Sequence, residues 1–386
     1  MKKLIFGYGA TGKSVETYFK NNNVEYLIFD DNKELNFPVD LSFNKNKLIE
    51  IDEVVISPGV KPSHPFIEKF ISMNIPVITD IDIFNNYYSN KIIGVTGTNG
   101  KTTFVNLLND FINSQGLSSI ALGNVGQSPL DIIGSKFDYL ILELSSFQLY
   151  YLQELKLSLA IILNIHQDHL DWHDNYKNYK DSKLKIKKFV VNESKRSLID
   201  SNSNIEINKK YDLNKLPLFV NISDIFMKTI KHLDLDIDLA YKFLINSKKQ
   251  EHRYEFIEKI NDVIYINDSK STNFHSVSSA SSKVKNGILI MHGLTKNISS
   301  EELKISSSIK TILIPKDMNV NLDKFTGQKI YLDSIFEIEE ELKKIIKPGD
   351  TVLFSCGGAS FNDFENYEER GNYFKKVVSK LRDNHE

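Results

Sequence analysis

The stretch Ile92-Ile93-Gly94-Val95-Thr96-Gly97-Thr98-Asn99-Gly100-Lys101-Thr102-Thr103 decides the fold. Ile92 to Val95 read as a short buried strand. A polar, glycine-punctuated turn follows. From Thr102 to Gln115, Phe104, Leu107, Leu108, Phe111 and Ile112 recur at helical spacing, and Gly116 is a natural stop. In a strand–loop–helix of this kind the backbone N–H groups cradle phosphates at the helix N-terminus. Lys101 would pair with the β/γ oxygens and Thr102 would hold Mg²⁺. The loop departs from the common G-x-x-x-x-G-K-[ST] pattern, because Val95 takes the first glycine's place.

Working outward, the chain alternates strands and helices. Leu4-Ile5-Phe6, Tyr26-Leu27-Ile28-Phe29, Val54-Val55-Ile56 and Ile75-Pro76-Val77-Ile78 read as strands before the loop, with a helix at Ser14 to Lys20. Tyr139 to Leu142 and Leu159 to Leu163 follow it as continuous apolar runs, the pattern of a parallel sheet covered on both faces. From Val190 to Lys249 the chain is rich in Asn, Lys, Ser and Asp, and predicts loops with one helix near Ile225 to Leu233. Val263 to Ile266, Gly287 to Ile290, Thr311 to Ile314 and Thr351 to Phe354 read as strands of a third unit, with helices at Ile335 to Ile346 and Tyr373 to Arg382. The expectation is an α/β protein of three units, 1–90, 91–250 and 251–386, each with a mainly parallel sheet. Tyr88-Ser89-Asn90 is the first polar junction.

Composition sets outer limits. The chain has 386 residues, 41% hydrophobic and 25% charged, so it can bury several cores. The 48 Lys plus Arg against 50 Asp plus Glu give a net charge of -2, which supplies no global pull toward nucleic acid or anionic membrane. One cysteine, Cys356, excludes an internal disulfide and a cysteine-rich metal site, and reads as a buried structural thiol. No run approaches the roughly 20 apolar residues of a membrane helix.

Further motifs follow strands. Gly7-Tyr8-Gly9-Ala10-Thr11-Gly12 fits G-x-G-x-x-G, with Asp30 ending the next strand about 18 residues on. This is a nucleotide-diphosphate signature, or a glycine turn that only lets helix and sheet pack. It does not separate NAD from UDP. Glu143 closes a buried strand before Leu144-Ser145-Ser146-Phe147-Gln148, where it would serve as an oxygen ligand to Mg²⁺ or cap a helix. His166, His169 and His173 would share a face if their segment were helical, the spacing of a zinc site, but the neighbouring phosphate loop favours a hard metal. The lysines from Lys177 to Lys188 read as a solvated helix face. Asn267-Asp268-Ser269-Lys270-Ser271-Thr272-Asn273 is either a ligand-binding run or a helix N-cap cluster. The glycines of Ser355-Cys356-Gly357-Gly358-Ala359-Ser360-Phe361 would present N–H groups to an anion.

Taken in this order, the motifs resemble the Mur ligases, ATP-dependent amide-forming enzymes of peptidoglycan precursor synthesis. The resemblance covers nearly the whole chain. Glu143 to Gln148, Asn267 to Asn273, and Ala359-Ser360-Phe361 through Arg370-Gly371 resemble the D-glutamate-adding branch, as do Ser57-Pro58-Gly59-Val60 and Gly123-Asn124-Val125-Gly126. The resemblance implies a Rossmann-like UDP-binding N-terminal domain, a central ATPase domain of P-loop type and a Rossmann-like C-terminal domain that binds the amino acid. It implies UDP-N-acetylmuramoyl-L-alanine, D-glutamate and ATP as substrates, with no nucleic-acid or membrane partner, in a cytoplasmic monomer. Thr11, Asp30, Gly59, Asn124 and His169 would meet the UDP substrate. Gly97, Thr98, Asn99, Gly100, Lys101, Thr102, Thr103, Arg253 and Asp268 would meet ATP. Thr102, Glu143, His169 and Lys183 match the metal positions, with two Mg²⁺ and with Lys183 carrying carbon dioxide as a carbamate. Lys101, Glu143, His169, Lys183 and Lys270 would be the catalytic set. Thr272, Lys296, Ser360 and Tyr367 would surround D-glutamate, Tyr367 standing where phenylalanine is usual.

Two departures accompany it. A Gly-x-His-Asn adenine segment is not legible, Asn221 being the nearest counterpart and Asp224 the replacement for the second asparagine. His292-Gly293-Leu294-Thr295-Lys296 stands where Gly-Gly-Asp-x-Lys is common. Three rival readings remain at this level: an NAD-dependent oxidoreductase built on the first glycine motif, a ligase for another amino acid or acceptor, and a homologue that binds the UDP substrate without turnover.

Overall fold

The computed structural model describes residues 2–32, 50–88, 91–124, 127–191, 197–213, 216, 220–247, 251–296 and 299–383. Ser89 and Asn90 of the expected junction, Val125 and Gly126, and residues 248–250 lie outside the described residues.

The first sheet contains β1 (Lys2–Phe6), β2 (Tyr26–Phe29), β3 (Ile51–Ile56) and β4 (Val77–Ile78), in the order β2-β1-β3-β4 and parallel throughout. β4 is shorter than the sequence predicts. Pro76 has no N–H to donate and contributes only its carbonyl, which accepts from Val54 N at 2.8 Å. The helix after β1, Ala10–Asn21, lies close against the strand end. A Cβ on Gly12 would stand 2.2 Å from the carbonyl oxygen of Gly7, so this position admits no side chain.

The second sheet contains β5 (Ile92–Thr96), β6 (Ser119–Gly123), β7 (Tyr139–Glu143), β8 (Leu159–Ile162) and β9 (Leu198–Ile199), in the order β6-β7-β5-β8-β9 and also parallel. β5 is central and fully buried, as its unbroken apolar run requires. The chain leaves β5 toward one edge and β8 toward the other. The crevice beyond their carboxyl ends is therefore the topological switch point, where α/β sheets bind ligands.

The third sheet contains β10 (Glu255–Ile260), β11 (Val263–Asp268), β12 (Gly287–His292), β13 (Ile309–Pro315), β14 (Gln328–Leu332) and β15 (Thr351–Gly357), in the order β10-β11-β15-β12-β13-β14. All pairs are parallel except β10 with β11, which is antiparallel.

Four apolar clusters cover the sheets. One is shared by the first two sheets: Ile5, Val15 and Val55 pack in the same cluster as Ile92, Leu140 and Ala160. A second covers the other face of the middle sheet through Phe104, Phe111 and Phe226. The last two cover the faces of the third sheet. The chain accordingly divides into two compact units, residues 1–165 with 177–246, and residues 166–176 with 247–386.

The loop-rich stretch after Val190 differs from expectation. It carries two helices, Val220–His232 and Ile237–Asn246, as well as β9. Ala240 and Leu244, four apart, bury one face of the second helix.

Candidate active site

The phosphate loop takes the conformation its sequence predicts. Gly100 adopts φ +84°, a left-handed geometry that favours glycine, and opens the helix Lys101–Ser114. Asn164, just after β8, fixes the loop from the neighbouring strand. Its backbone carbonyl accepts from Thr98 N at 2.9 Å, its Oδ1 accepts from Asn99 N at 2.9 Å, and its Nδ2 donates to Asn99 O at 3.0 Å. Lys101 Nζ folds back to donate to Gly97 O at 2.8 Å and Thr98 O at 3.2 Å. Thr102 is half-buried and Thr103 is buried at the first turn.

Lys183 corrects the reading of Lys177 to Lys188 as a solvated face. It is 2% exposed, and its Nζ donates to the same Gly97 carbonyl at 2.9 Å. The helix Tyr176–Leu184 turns one side inward, with Tyr179, Ser182 and Lys183 buried. Tyr179 lies beneath the Lys183 amine, 4.9 Å from its ring centroid, and its hydroxyl pairs with Thr98 Oγ1 at 2.8 Å. Composition alone could not separate this lysine from its exposed neighbours.

Glu143 ends β7 beside β5 and is 1% exposed. Its Oε1 accepts from Asn124 Nδ2 at 3.2 Å, which brings a residue expected at the metal beside one expected at the UDP substrate. Its Oε2 is buried with no hydrogen-bond partner among the described residues. Glu143 does not cap the next helix. Ser145 does so, in a capping box with Gln148. A buried carboxylate oxygen left unpaired is costly, and it fits a hard cation with oxygen ligands.

The first sheet bears a pocket at its carboxyl end, lined by Thr11, Asp30, Asp31, Ser57, Gly59 and His64 among others. Asp30 Oδ2 accepts from Tyr8 N at 2.6 Å, so the acidic residue braces the glycine turn that it faces. Asn124 is not part of this lining.

The second unit carries the remaining residues. Asp268 ends β11. It accepts from Ser355 Oγ at 2.8 Å and Tyr254 N at 3.0 Å, and burial pushes it up to about 6 despite these bonds and the nearby Arg253. Lys270 Nζ lies 3.6 Å from the centroid of the Tyr367 ring, a cation–π contact. Thr272 is half-buried before Asn273, whose Oδ1 caps the helix Phe274–Ser281. The polar run after β11 therefore includes an N-cap. Lys296 Nζ binds Asp168 Oδ1 at 3.0 Å, and Asn273 Nδ2 binds Asp168 Oδ2 at 3.2 Å. Burial opposes the charge on Asp168, but Lys296 and His169 outweigh it and hold the carboxyl at about 2. Asp168 went unnoticed in the sequence because it sat among three histidines. Ser360 is 3% exposed. Burial pushes the Cys356 thiol up to about 11, the state of an inert structural cysteine.

His169 takes φ +53° and precedes a helix of only four residues, Leu170–His173. His166, His169 and His173 consequently do not line one helical face. No group of three or more His, Cys, Asp or Glu suited to a metal ion occurs among the described residues. Asn221 is exposed on its helix, and Asp224 is paired with Lys228 at 2.8 Å.

A glycine loop at the head of a parallel sheet, two lysines on one of its carbonyls and a buried carboxylate on the adjacent strand define a nucleotide-phosphate-binding enzyme of the α/β class. The comparisons narrow this class. The Mur ligase middle domain matches residues 95–216, and the N-terminal domain of the MurD-like Mur ligases matches residues 1–79. The chain belongs to the Mur ligase family. It is 33% identical to the UDP-N-acetylmuramoylalanine--D-glutamate ligase of Fervidobacterium nodosum over 99% of both chains. It is 31% identical to the ligase of the same name from Buchnera aphidicola over 98% of both. Among solved structures, the MurF ligase of Thermotoga maritima in complex with ADP aligns with a TM-score of 0.59 at 15% identity, covering 98% of this chain and 95% of that one. None of the described helices is long and apolar enough to cross a membrane.

Proposed function

We propose that the chain joins D-glutamate to the L-alanine carboxylate of UDP-N-acetylmuramoyl-L-alanine with cleavage of ATP to ADP and phosphate. The observation that carries this reading is the end-to-end likeness to ligases named for D-glutamate, 33% identical over 99% of both chains.

A carboxylate does not condense with an amine unaided, because oxide is a poor leaving group. The L-alanine carboxylate oxygen attacks the γ-phosphorus of ATP, the bond to the β-bridging oxygen breaks, and ADP leaves. The D-glutamate amine nitrogen then attacks the acyl carbon, the bond from that carbon to the bridging oxygen breaks, phosphate departs with that oxygen and its electron pair, and the nitrogen loses a proton. Catalysis of such transfers is mainly positioning and charge compensation. Gly97 to Thr103 cradle the phosphates, and Lys101 offsets their charge. Arg253 and Asp268 are the further residues assigned to the nucleotide. Lys270, Thr272, Lys296, Ser360 and Tyr367 hold the amino-acid carboxylates and the reacting phosphate. Thr11, Asp30, Gly59, Asn124 and His169 hold the UDP substrate.

Thr102, Glu143, His169 and Lys183 are the residues that would hold Mg²⁺. The unpaired Glu143 Oε2 supports this role. When bound, Mg²⁺ supplies charge neutralisation at the phosphoryl oxygens. In this reading Lys183 is carried as a carbamate, which replaces a buried ammonium by an anion. The reading includes three domains, 1–90, 91–250 and 251–386, and a cytoplasmic monomer.

The test is phosphate release by the purified protein with ATP, Mg²⁺ and UDP-N-acetylmuramoyl-L-alanine, with D-glutamate, with L-glutamate and with neither. Release that depends on D-glutamate alone is expected. Release with another amino acid only would sink the substrate assignment.

A further inference from the structure

Arg370 is the largest fully buried side chain among the described residues, at 0% exposure, and it pairs with no described carboxylate. Burying a guanidinium without an anion is costly unless its donors are satisfied. Its acceptors are the answer to that cost. Nη2 donates to Ser269 O at 2.7 Å and Nε to Ser269 Oγ at 3.0 Å. Nη1 donates to Gly358 O at 3.0 Å and His292 O at 3.2 Å, and faces His292 Nδ1 at 3.2 Å.

These acceptors sit at the carboxyl ends of three strands that lie side by side, β11, β15 and β12. Ser269 directly precedes Lys270, Gly358 lies two residues before Ser360, and His292 lies four before Lys296. The last two loops are also laced together, Leu294 N to Ala359 O at 2.9 Å and Ala359 N to Leu294 O at 2.8 Å. A Cβ on Gly293 would stand 2.9 Å from Arg370 Nη1, so the packing leaves no slack there.

His292 meets the guanidinium through its ring as well as its carbonyl. An arginine can only donate, so Nδ1 of His292 accepts, sharing the two Nη1 hydrogens with the Gly358 and His292 carbonyls, and Nε2–H donates to Asp363 Oδ2 at 2.8 Å. The clamp is therefore complete only while His292 is neutral. A proton on Nδ1 would set two donors and two like charges against each other.

We propose that Arg370, locked by neutral His292, is the positioning residue that fixes the loops carrying Lys270, Lys296 and Ser360. This rests on the roles assigned to those three residues in the proposed function. The groups facing His292 are Arg370 from the helix Tyr367–Asp383, Asp363 from the turn after β15 and Asp317 from the turn after β13. Burial is the leading influence and holds the imidazole below its ordinary range, which keeps the lock neutral at neutral pH.

Full-length Arg370→Lys and His292→Gln are compared with the unmodified protein by steady-state kinetics from pH 5 to 9, and by hydrogen exchange at residues 270–272, 293–296 and 358–361. Lysine keeps the charge but not the fork. Arg370→Lys is expected to raise KM for D-glutamate about 10- to 100-fold, the size of losing one or two charge-assisted hydrogen bonds. KM for the UDP substrate should stay within about twofold, and the exchange of the three loops should quicken. Glutamine can accept from Arg370 and donate to Asp363 without titrating. His292→Gln should therefore keep the D-glutamate KM at pH 8 and lose the acid-side rise of the unmodified protein. Unchanged loop exchange in a folded Arg370→Lys overturns the proposal, as does an acid-side rise that survives in His292→Gln. If Arg370→Lys does not fold, the pH comparison and the exchange of His292→Gln decide. Loop exchange that responds as expected in a protein without D-glutamate-dependent phosphate release would overturn the proposed function and leave the clamp standing.

Discussion

Lys101 and Lys183, 82 positions apart, donate to one and the same carbonyl oxygen, that of Gly97, at 2.8 and 2.9 Å. Two amines drawn to one backbone carbonyl concentrate positive charge at the phosphate loop, which favours an anion there. The convergence gives Lys101→Ala a definite expectation. Its bonds to Gly97 O and Thr98 O lie within its own loop, so the fold should persist, with an unchanged circular dichroism spectrum. Turnover should fall by about 10²–10³ or more, the cost typical of losing a preorganised charge. Phosphate release near the unmodified rate would remove the loop from the mechanism.

Glu143→Gln removes the anion and keeps the shape. Asn124 can still donate to Oε1, so the loss is confined to the unpaired Oε2. The Mg²⁺ concentration for half-maximal phosphate release should rise by about tenfold or more, as expected when a charged oxygen ligand becomes neutral. Binding of ATP without Mg²⁺, followed by fluorescence of a labelled nucleotide, should not weaken. Equal Mg²⁺ dependence in both proteins would count against Glu143 as a ligand.

Lys183 offers a spectroscopic check. Protein equilibrated with ¹³C-bicarbonate should show a carbamate carbon resonance that disappears in Lys183→Arg. A spectrum identical in both would leave Lys183 as an ammonium and would discard the carbamate.

Gly12→Ala places a methyl group against the Gly7 carbonyl, where the gap to a Cβ would be 2.2 Å. Backbone cannot yield as a flexible side chain can, and the overpacking should cost about 1–3 kcal/mol. The displaced turn lines the pocket on the first sheet, so affinity for the UDP substrate should fall while ATP affinity holds. Calorimetric titration with each ligand separates the two. Equal weakening of both would mean general destabilisation.

Asp80 gives a pH prediction away from the catalytic residues. It is 3% exposed, its Oδ1 has no described partner, and burial pushes its carboxyl up to about 7. The folded state therefore holds its proton more tightly than the unfolded state does. The penalty is absent below the ordinary carboxylate pKa near 4. It grows as pH rises toward about 7 and is constant above that. Asp80→Asn should raise stability at pH 8 by roughly 2–4 kcal/mol and flatten the slope between pH 4 and 7, as read by urea unfolding. A mutant less stable at pH 8 than the original would show that the carboxylate is compensated in a way its surroundings do not reveal.

The phosphate loop was legible because strand, turn and helix each leave a separate signal in consecutive residues. The parallel sheets were legible for a similar reason: unbroken runs such as Tyr139 to Leu142, too short for a helix, suit a strand covered on both faces. What escaped was at edges and in mixed sequence. β10 runs Glu255, Phe256, Ile257 and Glu258 without alternation, with Phe256 60% exposed, so its pattern is too weak to stand out. β14 is another edge strand with only Leu332 buried. At the site, side-chain type was readable but burial was not. Lys183 looks like Lys180 or Lys187 until the helix Tyr176–Leu184 is seen to turn it inward. Arg370 stood in a quoted motif without a role, because three of its five acceptors are backbone carbonyls, and an acceptor carbonyl has no letter in the sequence.

The segment 166–176 departs from the first compact unit, packs with the second, and the chain then returns before leaving for good after residue 246. The second unit is thus not a contiguous cassette. A gene fragment beginning at residue 247 would encode Lys296 and Asn273 but not Asp168, the buried carboxylate they share. Exchange of that unit between relatives would have to carry the eleven-residue excursion with it, or supply another anion in its place.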